Sequence, residues 1–501
     1  MKKEDKVTLD DFDSLYRKFG PMVMRRCQYI LKDEEKAFDC MQDVFVRIIE
    51  HREKLDGVCA SLFYTTATRV CLNKIRSDKV RYSPQIDTIT QEIADNSPCH
   101  EEITNTSLLL DYIFDDTISN TKDMAMVYSE KPCVAAGTFT TNMVKAAPVL
   151  WDKMISEEKK VAQAVVINAG IANACTGEIG YEYCMETAKA AEEALNIPYD
   201  SVFVASTGVI GKQLPIDKIK AGTFVLAKTL KDTIEAGTDA AKAIMTTDTK
   251  KKEIAVSITL GGKEVTIGGM CKGSGMIHPN MCTMLGFITT DANISKELLD
   301  KALKEDVEDT YNMVSVDGDT STNDTVLLLA NGLAENEKIV CAESEDYKTF
   351  ANALHYINEY LAKRIAEDGE GATKLFTARV VDAKSKASAK CLAKSIITSS
   401  LTKAAVYGND ANWGRILCAL GYSGETFDPY KVDIVITDDT DCLKLVENGM
   451  ATDYSEEFAT KILSASEVTV IADMKDGEAF AEAWGCDLTY DYVKINADYR
   501  S

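Results

Sequence analysis

Apolar residues near the start of the chain return at helical spacing: Phe12, Leu15, Tyr16, Phe19, Met22 and Val23. The pattern predicts a helix over about 9–31, with Gly20-Pro21 as an internal punctuation. Asp33 suits an N-cap, because its carboxylate can accept an otherwise unpaired N–H of the next helix, and Glu34 and Glu35 fall in the favourable first turn. That second helix presents Phe38, Met41, Val44, Phe45, Ile48 and Ile49 on one face. A third, over about 60–75, ends in a basic cluster of Lys74, Arg76, Lys79 and Arg81. The three predict a small all-α domain over residues 9–81. Its basic end reads most simply as a solvated face.

Residues 83–105 lose this periodicity and gain charge, with Asp87, Glu92, Asp95, Glu101 and Glu102 around Pro98. They read as a linker. From about Pro132 the texture becomes α/β. Strand-like apolar runs at 162–169, 202–205, 283–290, 325–330, 432–437 and 468–472 alternate with Ala/Lys/Glu-rich helical stretches such as 181–195 and 387–401.

With 501 residues, 46% of them hydrophobic, the chain is long enough for two or three domains with buried cores. A net charge of -23 argues against non-specific binding of nucleic acid by the chain as a whole, because phosphate backbones are repelled. No apolar run approaches the length of a bilayer span and no secretory leader opens the sequence, so the expected setting is the cytoplasm, away from any membrane. The fifteen cysteines are scattered, without a CxxC, and read as reduced packed thiols. Only four histidines are present, His51, His100, His278 and His355. Histidine-based triads and His-rich zinc sites are therefore disfavoured, and any catalytic base is expected to be another group.

The densest block of unusual residues is Gly273-Ser274-Gly275-Met276-Ile277-His278-Pro279-Asn280-Met281-Cys282-Thr283-Met284-Leu285-Gly286-Phe287, a glycine- and proline-bearing loop feeding an apolar strand. Alone, this is what a surface loop before a buried strand looks like. Its company is specific: Ala135-Ala136-Gly137-Thr138-Phe139-Thr140-Thr141-Asn142, Asn173-Ala174-Cys175-Thr176-Gly177 and Ala205-Ser206-Thr207-Gly208-Val209-Ile210-Gly211 precede it. Asp317-Gly318-Asp319-Thr320-Ser321-Thr322-Asn323-Asp324, Asp368-Gly369-Glu370-Gly371-Ala372-Thr373 and Lys494-Ile495-Asn496-Ala497-Asp498-Tyr499-Arg500 follow. Together, over about 370 residues, these stretches resemble the bifunctional ornithine acetyltransferase/glutamate N-acetyltransferase family.

The resemblance implies a four-layer αββα-type sandwich and an acyltransferase of arginine biosynthesis that cleaves itself between Cys282 and Thr283. Transferase parts over 132–282 and 283–501 would stay associated, as a heterotetramer. Thr283 would become an N-terminal nucleophile whose own α-amine, with a reference pKa of about 7.7–8.0, accepts the hydroxyl proton. It would take acetyl from N-acetylornithine and pass it to glutamate in a ping-pong sequence. Thr207 and Gly208 match the family's oxyanion donors. Thr246, Lys272, Thr283, Glu370, Asn496 and Ser501 match its substrate-binding residues, with Thr247 an alternative to Thr246. No metal and no cofactor are implied, although some members also accept acetyl-CoA as donor. Two departures stand out: Cys282 replaces the usual alanine, and the family's Gly/Pro-rich opening segment is absent, which predicts a join near 130–132 at an edge of the catalytic fold.

The N-terminal wording has its own resemblance. Leu15-Tyr16-Arg17-Lys18-Phe19-Gly20, Gln42-Asp43-Val44-Phe45-Val46-Arg47 and Ala67-Thr68-Arg69-Val70-Cys71-Leu72-Asn73-Lys74-Ile75-Arg76 resemble region 2 of extracytoplasmic-function sigma factors, which in that family binds core RNA polymerase and melts promoter DNA. Residues 108–130 look like the opening of sigma region 4 helices, so that 82–131 reads as an acidic linker followed by truncated helices. Two alternative functions remain open at this level: a sigma-like regulator that binds RNA polymerase or DNA through 9–81 and carries an inactive transferase, and an N-terminal-threonine amide hydrolase.

Overall fold

The computed structural model describes residues 12–50, 63, 66–67, 70–71, 123–159, 161–278 and 284–498. The chain divides into two compact units, residues 1–105 and 106–501.

In the first unit, helices Phe12–Leu31 and Glu34–Glu50 are joined at Asp33, whose carboxylate accepts the Lys36 N–H at 3.1 Å. Val23, Val44 and Phe45 are buried between them, and the rings of Phe19 and Phe63 stack with centroids 4.6 Å apart. Gly20-Pro21 does not interrupt the first helix, which runs through it. Burial of Phe19 and Val23 on either side outweighs the hydrogen bond that proline forgoes. The basic cluster at Lys74, Arg76, Lys79 and Arg81 and the linker at 83–105 lie outside the described residues.

The second unit holds two seven-stranded sheets with helices packed on them. The first contains β1 (Met124–Phe139), β2 (Val161–Asn168), β3 (Val202–Ser206), β4 (Lys252–Leu260), β5 (Lys263–Lys272), β6 (Leu285–Thr290) and β8 (Thr325–Ala330), in the order β3-β2-β1-β8-β6-β5-β4. Two-residue strand β7 (Val314–Ser315) belongs to the second sheet, with β9 (Leu375–Ala383), β10 (Asp433–Thr437), β11 (Cys442–Glu447), β12 (Met450–Ala451), β13 (Glu467–Asp473) and β14 (Ala479–Cys486), ordered β12-β11-β10-β13-β9-β14-β7.

Strand β8 shows how the layers form. Leu327 and Leu329 enter one apolar core and Val326, Leu328 and Ala330 the other, because successive side chains point to opposite faces. The first core lies against helices such as Gly177–Leu195, which packs on β2 and β3. The second extends through helix Glu345–Glu367, which touches β4 and β5 of one sheet and β7, β9 and β14 of the other. The mixed α/β, two-sheet architecture expected from the resemblance is present, and so is a helical N-terminal unit.

One reading from the sequence is corrected. Residues 124–130, read as the end of truncated sigma-like helices, are the first half of β1. Met124 to Tyr128 pair with Asn168 to Ala164 of β2, and this ladder decides the state of a short apolar run that is ambiguous locally. Pro132 falls where the register shifts between Tyr128 and Cys133, the kind of irregularity at which a strand accommodates a residue without an N–H. Strand β1 is interior, flanked by β2 and β8, so the strand that crosses the expected join is not an edge of the sheet. Residues 108–122 lie outside the described part.

Candidate active site

Strands β2 and β3 run parallel and end side by side at Asn168 and Ser206. The Ser206 hydroxyl donates to Asn168 Oδ1 at 2.6 Å, and Asn168 Nδ2 donates to the Ile171 carbonyl at 2.8 Å. From across the sheet, Asn323 Nδ2 reaches the carbonyls of Ala172 and Ser206 at 2.5 and 2.8 Å. Thr207 leaves this scaffold with its N–H bonded to Asn168 O at 3.0 Å. Gly208 follows at φ +125, and a Cβ there would lie 2.3 Å from the carbonyl carbon of Gly170. Only glycine fits that backbone and that approach. Among the described residues no backbone acceptor takes the Gly208 N–H.

Lys272 ends β5, opposite Leu285 at the start of β6. It is 8% exposed, and its Nζ lies 3.4 Å from Thr207 Oγ1 and 4.0 Å from Asp248 Oδ2. Asp248 sits in the loop after helix Ile234–Ala243 and gathers the site. Its Oδ2 accepts the Thr246 N–H at 3.1 Å, while Oδ1 accepts the Gly273 N–H at 2.7 Å and the Lys252 ammonium at 2.6 Å. Lys252 in turn reaches Asp368 Oδ2 at 2.6 Å. Burial works against the Asp248 carboxylate, but Lys272, Lys252 and the Gly273 N–H more than offset it and bring its pKa down to about 2. Burial pushes the Lys272 ammonium below the ordinary lysine range, opposed by Asp248 and Glu370 and aided by Lys252.

The chain after Lys272 is clamped residue by residue. Ser274 Oγ donates to the Asp368 carbonyl at 2.8 Å, and Glu370 N–H donates to Ser274 O at 2.9 Å. Gly275 lies so close to Glu370 that a Cβ would stand 2.3 Å from its carboxyl carbon. Met276 adopts φ +56, a left-handed conformation unusual for a non-glycine residue, and Asp317 accepts the N–H groups of Met276 and Ile277 at 2.6 and 2.8 Å. The His278 carbonyl accepts Thr320 Oγ1 at 2.9 Å. From the last helix, Tyr490–Asp498, Asn496 Nδ2 donates to Glu370 Oε2 at 2.8 Å. A cleft of about 480 Å³ opens beside this contact, lined by Thr249, Lys250, Asp368, Asp491 and Lys494 among others.

Of the residues singled out in the sequence, Thr207, Thr246, Lys272, Glu370 and Asn496 are linked through Asp248, Lys252, Asp368 and Ser274, with Gly208 next to Thr207 in the chain and Thr247 half-buried beside Thr246. Cys282, Thr283 and Ser501 lie outside the described residues. Sequence reasoning missed Asp248 and Lys252 and quoted Asp317 and Asp368 only as parts of motifs. A signal for Asp248 was available: an acidic residue two positions after Thr246, in a chain region otherwise expected to bind substrate.

Thr207, Lys272 and Asp248 thus cluster where β3 and β5 end, beside the Gly208 turn, in a two-sheet α/β protein. A family model described as the ArgJ family matches residues 114–501, and one for sigma-70 region 2 matches residues 15–81. The chain is 54% identical over 383 residues to the arginine biosynthesis bifunctional protein ArgJ 1 of Clostridium acetobutylicum, spanning 76% of this chain and 93% of that protein. It is 50% identical over 382 residues to the arginine biosynthesis bifunctional protein ArgJ of Thermotoga neapolitana, spanning 76% and 95%. A crystal structure of the ArgJ protein from Bacillus halodurans aligns at 47% identity with a TM-score of 0.40, over 42% of this chain and 97% of that one. The chain belongs to the ArgJ family.

Proposed function

We propose that this protein is a self-cleaving glutamate N-acetyltransferase of arginine biosynthesis. The observation that carries the reading is the 3.4 Å approach of Lys272 Nζ to Thr207 Oγ1, in a network that also holds Thr246 and Glu370 and adjoins Gly208, in a chain of the ArgJ family. In this reading the Thr283 hydroxyl attacks the carbonyl carbon of Cys282. Hydrolysis of the resulting ester leaves residues 1–282 and a second chain beginning at Thr283 with a free α-amine. That amine takes the hydroxyl proton as Thr283 attacks the acetyl carbonyl of N-acetylornithine. The Thr207 hydroxyl and the Gly208 N–H stabilise the oxyanion, ornithine leaves, and glutamate accepts the acetyl group from acetyl-Thr283.

Lys272 offers a point charge to the amino-acid carboxylate, and Glu370, oriented by Asn496, faces an amine. Thr246 and Ser501 complete the substrate contacts. Sheet order supports an association that outlasts the cut: β6 and β8, from beyond Thr283, lie between β1 and β5, from before it. The two chains would share one sheet and one core, and the cleaved unit is proposed to pair as a heterotetramer. Acetyl-CoA as an alternative donor, absence of a cofactor and a cytoplasmic setting belong to the same proposal. Among the described residues no helix is long and apolar enough to cross a membrane.

The test is intact mass with sequencing of any new N-terminus, followed by acetyl transfer from N-acetylornithine to glutamate. Two chains, one starting Thr283-Met284-Leu285, together with transfer, are expected. A single chain at 55.0 kDa would refute self-cleavage. Acetyl passing only to water would favour an amide hydrolase.

A second reading concerns the N-terminal unit alone. Its match to sigma-70 region 2 over residues 15–81 supports contact with core RNA polymerase or promoter DNA. Co-purification with core polymerase that disappears when residues 9–81 are deleted is the expected result for that reading.

A further inference from the structure

Asp248 was not among the residues that the sequence pointed to, yet its carboxylate ties Thr246, Lys252, Lys272 and Gly273 together. It is 8% exposed, and its carboxylate is hydrogen-bonded to the Thr246 N–H, the Gly273 N–H and the Lys252 ammonium. Among the described residues it is also the only carboxylate within ion-pair distance of Lys272, at 4.0 Å. Lys252 is neutralised on both sides, by Asp248 and by Asp368 at 2.6 Å each. Charges therefore alternate along a buried line: Asp368, Lys252, Asp248, Lys272, ending at the Thr207 hydroxyl.

We propose that Asp248 is a positioning residue for substrate binding, which holds the Lys272 ammonium charged and beside Thr207 so that it meets the carboxylate of the amino-acid substrate. The inference rests on the acetyltransferase reading and adds to it the group that makes Lys272 competent. Burial of an ammonium favours its neutral form, and the nearby Lys252 charge adds to that tendency. The groups facing Lys272 are Asp248, Lys252, Glu370 and the neighbouring Cys271 thiol. Glu370 is already engaged by Asn496 and is the partner expected for a substrate amine, so Asp248 is the fixed counter-charge. It is tied to backbone on two sides, at Thr246 and Gly273, so it cannot follow Lys272 away from the site. Release of a proton from Lys272 would leave a neutral amine that no longer attracts a carboxylate.

The experiment compares the full-length wild type with Asp248→Asn, which preserves shape and one acceptor but removes the charge. The expected result is a KM for glutamate raised about tenfold or more at pH 8, with kcat within about threefold. The alkaline rise of KM should begin at least about one pH unit lower than in the wild type. A folded D248N protein with unchanged KM and an unchanged alkaline limb overturns the proposal. A wild type without acetyl transfer would sink the acetyltransferase reading itself, which is a separate outcome. Should D248N not fold, carbon-13 NMR of lysine-labelled wild type decides the matter, with the Lys272 signal assigned by its loss in Lys272→Arg. A charged Lys272 at pH 7 is expected, and a neutral one overturns the proposal.

Discussion

Asn496 donates its side-chain amide to Glu370 across 2.8 Å and 126 residues of sequence. The contact fastens the last helix, in which no residue is fully buried, to the loop before β9, and so carries Glu370 and the adjoining cleft as one unit.

Replacing Asn496 with alanine should therefore cost function without costing the fold. A hydrogen bond to a charged group is worth about 1.5–3 kcal/mol, which corresponds to roughly a tenfold to hundredfold loss. The expected outcome is a fall of that size in kcat/KM, with the urea midpoint unchanged. A large loss of stability would mean that the contact holds the helix in place and does not serve the substrate.

Thr207 and Gly208 should respond differently to the same substitution. Thr207→Ala removes a hydroxyl from a loop anchored by backbone bonds, so kcat should fall about 10²–10³-fold while thermal stability holds. In Gly208→Ala the added carbon meets the Gly170 backbone at φ +125, so soluble, active protein should fall together, by more than about 1 kcal/mol in stability. Parallel thermal melts and rate measurements separate the two.

His278 predicts an acid sensitivity with a defined window. Burial, with Lys394 nearby, lowers its pKa to about 4, against 6.5 for the free side chain. Between these values the unfolded chain binds a proton that the folded chain refuses, so stability is full above about pH 6.5 and is lost as pH falls toward 4. His278→Gln should flatten that part of the stability profile. Urea titrations at pH 5 and pH 7 check it, well above the range in which Asp248, at about 2, begins to protonate.

Deletion of residues 1–106 should leave acetyl transfer largely intact. All the strands of the first sheet lie between Met124 and Ala330, and the linked site residues begin at Thr207. The measurement is soluble yield and specific activity of the shortened chain beside the full one. Complete loss of soluble protein would show that the removed part is required for the remainder to fold.

Much of this was legible locally. The runs at 202–205, 325–330, 432–437 and 468–472 lie on β3, β8, β10 and β13; β3 and β8 are buried throughout, which needs an unbroken apolar stretch, while β10 and β13 bury only part of their residues. Asp33 caps its helix because capping involves only neighbours along the chain. Strands β4 and β5 went unread, although their two-residue Gly261-Gly262 turn, with φ of +55 and +80, is a hairpin signal, because their alternating polar residues obscured the apolar ones.

What the sequence by itself determined is therefore the set of elements with strong local patterns, the family wording and the candidates Thr207, Gly208, Thr246, Lys272, Glu370 and Asn496. Tertiary structure alone decided that residues 124–130 are strand and that β6 and β8 lie between β1 and β5. It also decided that Asp248 links Lys252, Lys272 and Gly273. The reason is physical: a ladder partner, or a counter-charge for a buried ammonium, comes from a distant segment, and burial makes that partner necessary without marking it in the local pattern.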